Sequence, residues 1–229
     1  MLETKKIFLI FLSTMLLQLN LSAKTLMITS QAEMKVSSIP GVPPAITLAP
    51  LETTAFIKYR LATCDFYSHG TIIDDLLTEH KPEMLLISAV HSSDKFTFCF
   101  PDGSTRDLTD DELVAALTGR GTFGYVRDEK RTIDLVFLNG CNTKALCERI
   151  KHQCNVPVVL GWDCPVGSKR ALTMSFMFFR VLSLGVELVE AFNDAIITTK
   201  RLCKTDELNI FQMGIEPRAD IVDRPIDTI

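Results

Sequence analysis

The chain has 229 residues, 47% of them hydrophobic, and a formal net charge of −4 with acids and bases interspersed. That is enough apolar material for one large α/β domain, and no Lys/Arg run is dense enough to form a nucleic-acid footprint. Its seven cysteines are an odd number and cannot all pair within one chain. They are scattered through expected helices and strands, so they read as reduced thiols of a cytoplasmic protein.

At the N-terminus, Lys5 and Lys6 precede an apolar stretch, Ile7 to Leu21, closed by Ser22-Ala23. Two readings stay open. One is a signal-like segment over residues 5–23, which would make the protein secreted. The other is a first strand running into a helix. The stretch is too short for a membrane span, which needs roughly 20 apolar residues. Leu26 to Thr29 suits a short strand, and Pro40, Gly41, Pro43, Pro44 and Pro50 punctuate an irregular connection. Residues 1–50 are therefore expected to be an N-terminal extension, with the main domain over 51–229.

Leu51 to Leu61 predicts a helix, or a helix turning into a strand. Thr71 to Glu79 has helical spacing, with Ile72, Leu76 and Leu77 on one side, and Pro82 stops it. Met84 to Val90 is a continuous apolar run, as expected of a strand buried on both faces. Phe96 to Phe100 alternates, and Pro101-Asp102-Gly103 turns the chain into a hairpin. Thr109-Asp110-Asp111-Glu112 reads as a capping box opening a helix to about Leu117. Gly119 and Gly121 end that helix, and Arg127 to Arg131 is an exposed, charged stretch.

Ile133 to Leu138 is a second buried-strand run, followed by Asn139-Gly140. Thr143 to His152 is helical, with Leu146 and Ile150 on one face. Val156 to Leu160 is a third buried strand. Ala171 to Leu184 is a helix with a stripe of Leu172, Phe176, Phe179 and Leu182. After Gly185, a last helix to about Leu202 turns Leu188, Phe192 and Ala195 inward. Strands alternating with helices imply a mainly parallel sheet with helices on both faces.

Ligands meet such a sheet at the carboxyl ends of its strands. The run 84–90 ends on His91, and the run 133–138 ends on Gly140-Cys141. If the strands are neighbours, an imidazole and a thiol face each other across one edge. The helix after Cys141 favours the thiolate, the reactive form of cysteine. A nearby histidine can take the thiol proton and return it to a leaving amine. The backbone N–H groups of Cys141 and Ser92 are the candidate oxyanion donors. Asp94 and Asp65 are candidates to orient His91. Asp163, after the third strand, is either a substrate-binding acid favouring a basic residue or an ordinary loop acid.

These segments resemble the CHAT domain, the caspase-like peptidase module related to separases, caspases and metacaspases. The histidine half runs from Pro82 through the apolar strand, His91 and the Pro-Asp-Gly hairpin to Leu108-Thr109-Asp110-Asp111-Glu112-Leu113. The cysteine half runs Leu135-Val136-Phe137-Leu138-Asn139-Gly140-Cys141-Asn142-Thr143, then Val156-Pro157-Val158-Val159-Leu160-Gly161-Trp162. A Phe-rich helix, a glycine and Ala191-Phe192-Asn193-Asp194-Ala195 complete it. The likeness covers roughly residues 70–200, and the gap from His91 to Cys141 is also about the caspase spacing. It implies a three-layer caspase-like sandwich and a cysteine endopeptidase in which His91 is the base and Cys141 the nucleophile. A peptide or protein is then the substrate, with a protein partner as a candidate activator, and the chemistry requires no metal or organic cofactor. The family usually has His-Gly where this chain has His91-Ser92.

Other chemistries are less well supported. Cys147, His152, Cys154 and Cys164 cluster in sequence but fit no standard zinc spacing. No Gly-x-Ser-x-Gly elbow is present, and no Gly-x-Gly-x-x-Gly or Walker sequence follows a strand. The remaining rival is a caspase-like module that acts in protein–protein signalling without turnover.

Overall fold

A computed structural model describes residues 25–32, 35–36, 45–46, 49–119, 133–205 and 207–213. The signal-like segment, Pro40 to Pro44, Gly121 and the charged stretch 127–131 lie outside the described residues.

Among the described residues, the central sheet has six strands: β1 (Thr25–Thr29), β4 (Thr63–Phe66), β5 (Met84–Ser88), β9 (Leu135–Asn139), β10 (Val158–Trp162) and β11 (Ile210–Met213). Their spatial order is β11-β10-β9-β5-β1-β4. All neighbours pair in parallel except the antiparallel edge pair β10–β11. Among the described residues, six helices flank it: α1 (Ala49–Lys58), α2 (Ile73–His80), α3 (Asp110–Leu117), α4 (Lys144–Gln153), α5 (Ser168–Ser183) and α6 (Leu188–Cys203). A separate three-stranded antiparallel sheet runs β6 (Val90–Ser92), β7 (Lys95–Cys99), β8 (Thr105–Thr109). The two-residue strands β2 (Lys35–Val36) and β3 (Ala45–Ile46) pair with each other.

The uninterrupted apolar strands follow from having a helical layer on each side. Side chains alternate along a strand, so a strand covered on both faces needs apolar residues at every position. Leu26, Leu85, Ile87, Val136, Leu138 and Val159 point to one face, where they meet α2, α3 and α4. Met27, Leu86, Leu135, Phe137, Leu160 and Trp162 point to the other, where they meet α1, α5 and α6. This is a three-layer α/β fold with a mixed, mostly parallel sheet. Of the fully buried phenylalanine rings, Phe56, Phe137, Phe178 and Phe192 lie on the second face, and Phe96 and Phe98 belong to the first cluster. Full burial of each such ring is worth roughly 1.5–3 kcal/mol relative to exposure.

Some expectations shift. β1 sits between β4 and β5 and is wholly buried, so the folded unit begins before residue 51. Pro50 belongs to the first turn of α1, where its missing N–H costs no helix bond. The α5 stripe is rotated from its expected position. Ala171, Met174, Ser175, Phe178, Phe179 and Leu182 are buried, while Leu172 and Phe176 are only half-buried. Leu188 is likewise half-buried, whereas Phe192 and Ala195 face inward as expected. The edge strand β11 carried no clear sequence signal.

Candidate active site

The ends of β1, β5 and β9 lie in register, with Thr29 opposite Ser88 and Ser88 opposite Asn139. β5 and β9 are therefore neighbours, as the site requires. The expected single strand 84–90 is broken, however. It leaves the central sheet after Ser88, and His91 lies in β6 of the small sheet. There it stands opposite Phe96, with ring centroids 4.7 Å apart.

Gly140 fits against this histidine. A Cβ added at Gly140 would come within 2.8 Å of His91 Cβ, 2.8 Å of the Phe96 ring and 2.9 Å of the Ala89 carbonyl oxygen. Glycine is needed here for close approach.

His91 is 6% exposed, and both of its ring nitrogens are engaged. Nδ1 is 2.9 Å from the Cys141 carbonyl oxygen, and Nε2 is 3.1 Å from Asp110 Oδ1. A carbonyl and a carboxylate only accept, so making both bonds at once requires both nitrogens to donate, as they do in the imidazolium. Burial alone would lower the His91 pKa. The hydrogen bonds to Asp110 and the Cys141 carbonyl, with the charges of Asp110 and Asp94, outweigh it and raise the pKa above its usual value.

Asp110 was not among the acids expected to orient His91. It is the first residue of α3 and is buried. Two devices aim it. The expected capping box is present: Glu112 N–H donates to Thr109 Oγ1 at 3.2 Å, and Thr109 N–H donates to Glu112 Oε2 at 2.8 Å. In addition, the Asp110 N–H donates to the Asp94 carbonyl oxygen at 2.9 Å, which ties the start of α3 to the β6–β7 turn. Asp94 thus acts on the ring through its charge, without a hydrogen bond to it. Asp65 lies elsewhere, with Oδ2 3.0 Å from His80 Nε2.

The Cys141 thiol faces the segment after β10. The Val166 N–H donates to its sulfur at 3.3 Å, and the thiol lies 3.7 Å from the Val166 carbonyl oxygen. The Asn142 N–H donates to the Cys164 carbonyl oxygen at 3.1 Å, and Asn142 has a positive φ of 53°. The donor on the sulfur is thus a loop N–H, where the first turn of α4 was expected to act. Among the described residues, no hydrogen bond joins the imidazole to the thiol. All seven cysteines are free. Burial pushes the Cys64 thiol up to about 12 and Cys154 to about 11, and it raises Cys99, Cys147 and Cys164.

Beneath the strand ends lies a buried acid that the sequence reading missed. Glu52 of α1 accepts from Ser88 Oγ at 2.5 Å, Ser175 Oγ at 2.7 Å and Asn139 Nδ2 at 3.3 Å. The Trp162 indole N–H donates to Asn139 Oδ1 at 3.0 Å. Burial raises the Glu52 pKa against the lowering effect of these donors. The network clamps α1 and α5 to the ends of β5, β9 and β10, directly below Gly140-Cys141.

Ser92 is exposed at the end of β6, opposite Lys95. The residues with positive φ are the next two, Ser93 at 51° and Asp94 at 62°, the pattern of a type I′ hairpin turn. Ser92 has no positive φ, so its position does not demand a glycine. Asp163 accepts from Lys144 Nζ at 2.8 Å in a half-exposed ion pair. Of the zinc candidates, Cys147 is buried and His152 exposed, and no metal-holding group of His, Cys, Asp or Glu occurs among the described residues. No helix among the described residues is long and apolar enough to cross a membrane.

Fold and site together define a three-layer α/β protein with a histidine and a cysteine brought together beside the carboxyl edge of its sheet. No protein-family model matches the chain, and no curated protein matches it.

Proposed function

We propose that the chain is a CHAT-type, caspase-like cysteine endopeptidase, with Cys141 as nucleophile, His91 as general base and Asp110 orienting His91. The observation that carries this reading is the Asp110–His91–Cys141 chain, in which a buried carboxylate backs an imidazole that touches the backbone of the cysteine. The described arrangement is a resting one. Its imidazolium cannot accept a proton while both nitrogens donate. Once the ring gives its Nδ1 proton to solvent, Nε2–H keeps donating to Asp110, and Nδ1 turns a lone pair toward the Cys141 carbonyl oxygen. That contact becomes repulsive, and Nδ1 is released toward the thiol. Cys141 then attacks the peptide carbonyl as His91 takes the thiol proton. His91 returns the proton to the departing amine, and water hydrolyses the acyl-enzyme with His91 as base. The Cys141 and Ser92 N–H groups are the oxyanion donors of this proposal. Seven free thiols suit a reducing, cytoplasmic setting. A bound protein partner that reshapes the Val166 segment is a means of activation.

A second reading is favoured by one observation, the engagement of the thiol by Val166 and of both His91 nitrogens. It is a caspase-like module that signals by binding and turns over little or no substrate. Thiol reactivity separates the two. At pH 6, a working Cys141 is alkylated by iodoacetamide ahead of the five burial-raised thiols, and Cys141→Ala abolishes cleavage of a peptide library. Equal, slow alkylation with no cleavage would leave the binding module.

A further inference from the structure

The segment after β10 that holds the Cys141 thiol also walls a cavity of about 420 Å³. Trp162, Cys164 and Val166 line it. Two of these flank the nucleophile: Val166 through its N–H on the sulfur, and Cys164 through its carbonyl on Asn142. The cavity therefore adjoins the reactive atom. The charged side chains lining it are Arg170 from the first turn of α5, Lys204 at the C-cap of α6, and Glu207 on the stretch leading to β11. Neither Arg170 nor Lys204 forms an ion pair with another described residue. Exposed cations are usually no more than solvated surface charges. These two come from different helices and converge on one concavity beside a thiol.

We propose that this cavity receives an acidic side chain of the substrate, that of the residue preceding the cleaved bond. The inference rests on the peptidase reading of Cys141. Attack brings the sulfur to within about 3–3.5 Å of the carbonyl carbon, so the side chain on the acyl side of that carbonyl falls into the adjoining space. There, a carboxylate lies between a guanidinium, which can grip it with two parallel bonds, and an ammonium. Among the described lining residues, Glu207 is the acid that opposes it. It is the opposite of the basic preference that Asp163 would give as a substrate-binding acid; the Asp163 carboxylate is paired with Lys144.

The test uses peptidyl acyloxymethyl ketones that differ only in the residue next to the warhead: Asp, Glu, Leu or Lys. Labelling of Cys141 in the full chain is followed by mass spectrometry at low salt. The Asp and Glu probes are expected to label about tenfold faster than the Leu probe, the size of effect that two partly exposed ion pairs supply. Arg170→Gln with Lys204→Gln removes the advantage, 0.5 M salt reduces it, and Glu207→Gln increases it. Equal rates for the four probes, or a preference unchanged in the double variant, would overturn the proposal. The peptidase reading fails separately, through absence of Cys141 labelling by any probe. In that case the fluorescence of Trp162, the single tryptophan, still reports whether N-acetyl-aspartate amide binds in preference to the lysine amide. A preference would keep the cavity's selectivity for acids, and no preference would overturn that too.

Discussion

Replacing Gly140 with alanine tests the junction between the two sheets. The new Cβ would lie 2.8 Å from His91 Cβ and 2.9 Å from the Ala89 carbonyl oxygen. The first is about 0.7 Å inside the closest favourable carbon–carbon separation. Both atoms belong to or adjoin the backbone, so no side-chain rotation relieves the contact, and β6 must move away from β9. Overpacking of this kind costs about 1–3 kcal/mol, and a contact anchored in backbone belongs at the upper end. For a chain of this size each kcal/mol lowers Tm by about 2–4 °C, so a fall of roughly 6–12 °C is expected by circular dichroism. The His91 imidazole resonances shift as well, and Cys141 alkylation changes rate. Gly161→Ala is the control, because its Cβ would meet Cys147 Sγ and Thr143 Oγ1 at 2.5 Å, both side-chain atoms outside the His91 contact. It should lower Tm yet leave the His91 resonances in place. A Gly140→Ala protein that melts within about 1 °C of the parent with unshifted His91 signals would refute the reasoning.

Asp110→Asn removes the hydrogen-bonding carboxylate that raises the His91 pKa, so an NMR titration should show that pKa fall. A histidine whose folded-state pKa is raised stabilises the fold below its unfolded value and loses that contribution as pH rises through the folded value. The stability lost in Asp110→Asn should therefore be larger at pH 5.5 than at pH 8.5 in urea melts. Glu52 also has a raised folded pKa, set by burial, so its proton is held more tightly in the native state. Parent stability should fall as pH rises from the unfolded Glu value through the folded one, and Glu52→Gln should flatten that slope in melts across pH 5–8. Thr109→Ala removes one half of the capping box, at a cost of about 1 kcal/mol. Tm should drop by roughly 2–4 °C, and the His91 pKa should move down as Asp110 loses its fixed aim.

The parts that were legible in the sequence are those governed by local chemistry. The runs 84–87 and 135–138 are apolar at every position because both faces are covered, and they mark central strands wherever they are placed. The capping box at Thr109 and the hairpin at Pro101-Asp102-Gly103 depend on contacts within a few residues, and both occur where expected. His91 and Cys141 could be picked out because each follows such a strand.

What lay beyond the sequence depends on contacts between distant segments. Asp110 reaches His91 because β6, β7 and β8 fold back on one another and Asp94 anchors the first residue of α3. Nothing in the spacing distinguished Asp110 from Asp65 or Asp94 as that partner. The break at Ala89, which moves His91 into a second sheet, interrupts an unbroken apolar run and so left no mark in it. The burial of Glu52, the antiparallel β11 and the seating of the thiol on Val166 are likewise products of packing. The sequence alone therefore determined most of the central strands and flanking helices and singled out His91 and Cys141 as candidates. Only the tertiary structure decided which acid backs the histidine and what holds the sulfur, because both depend on where separate segments meet.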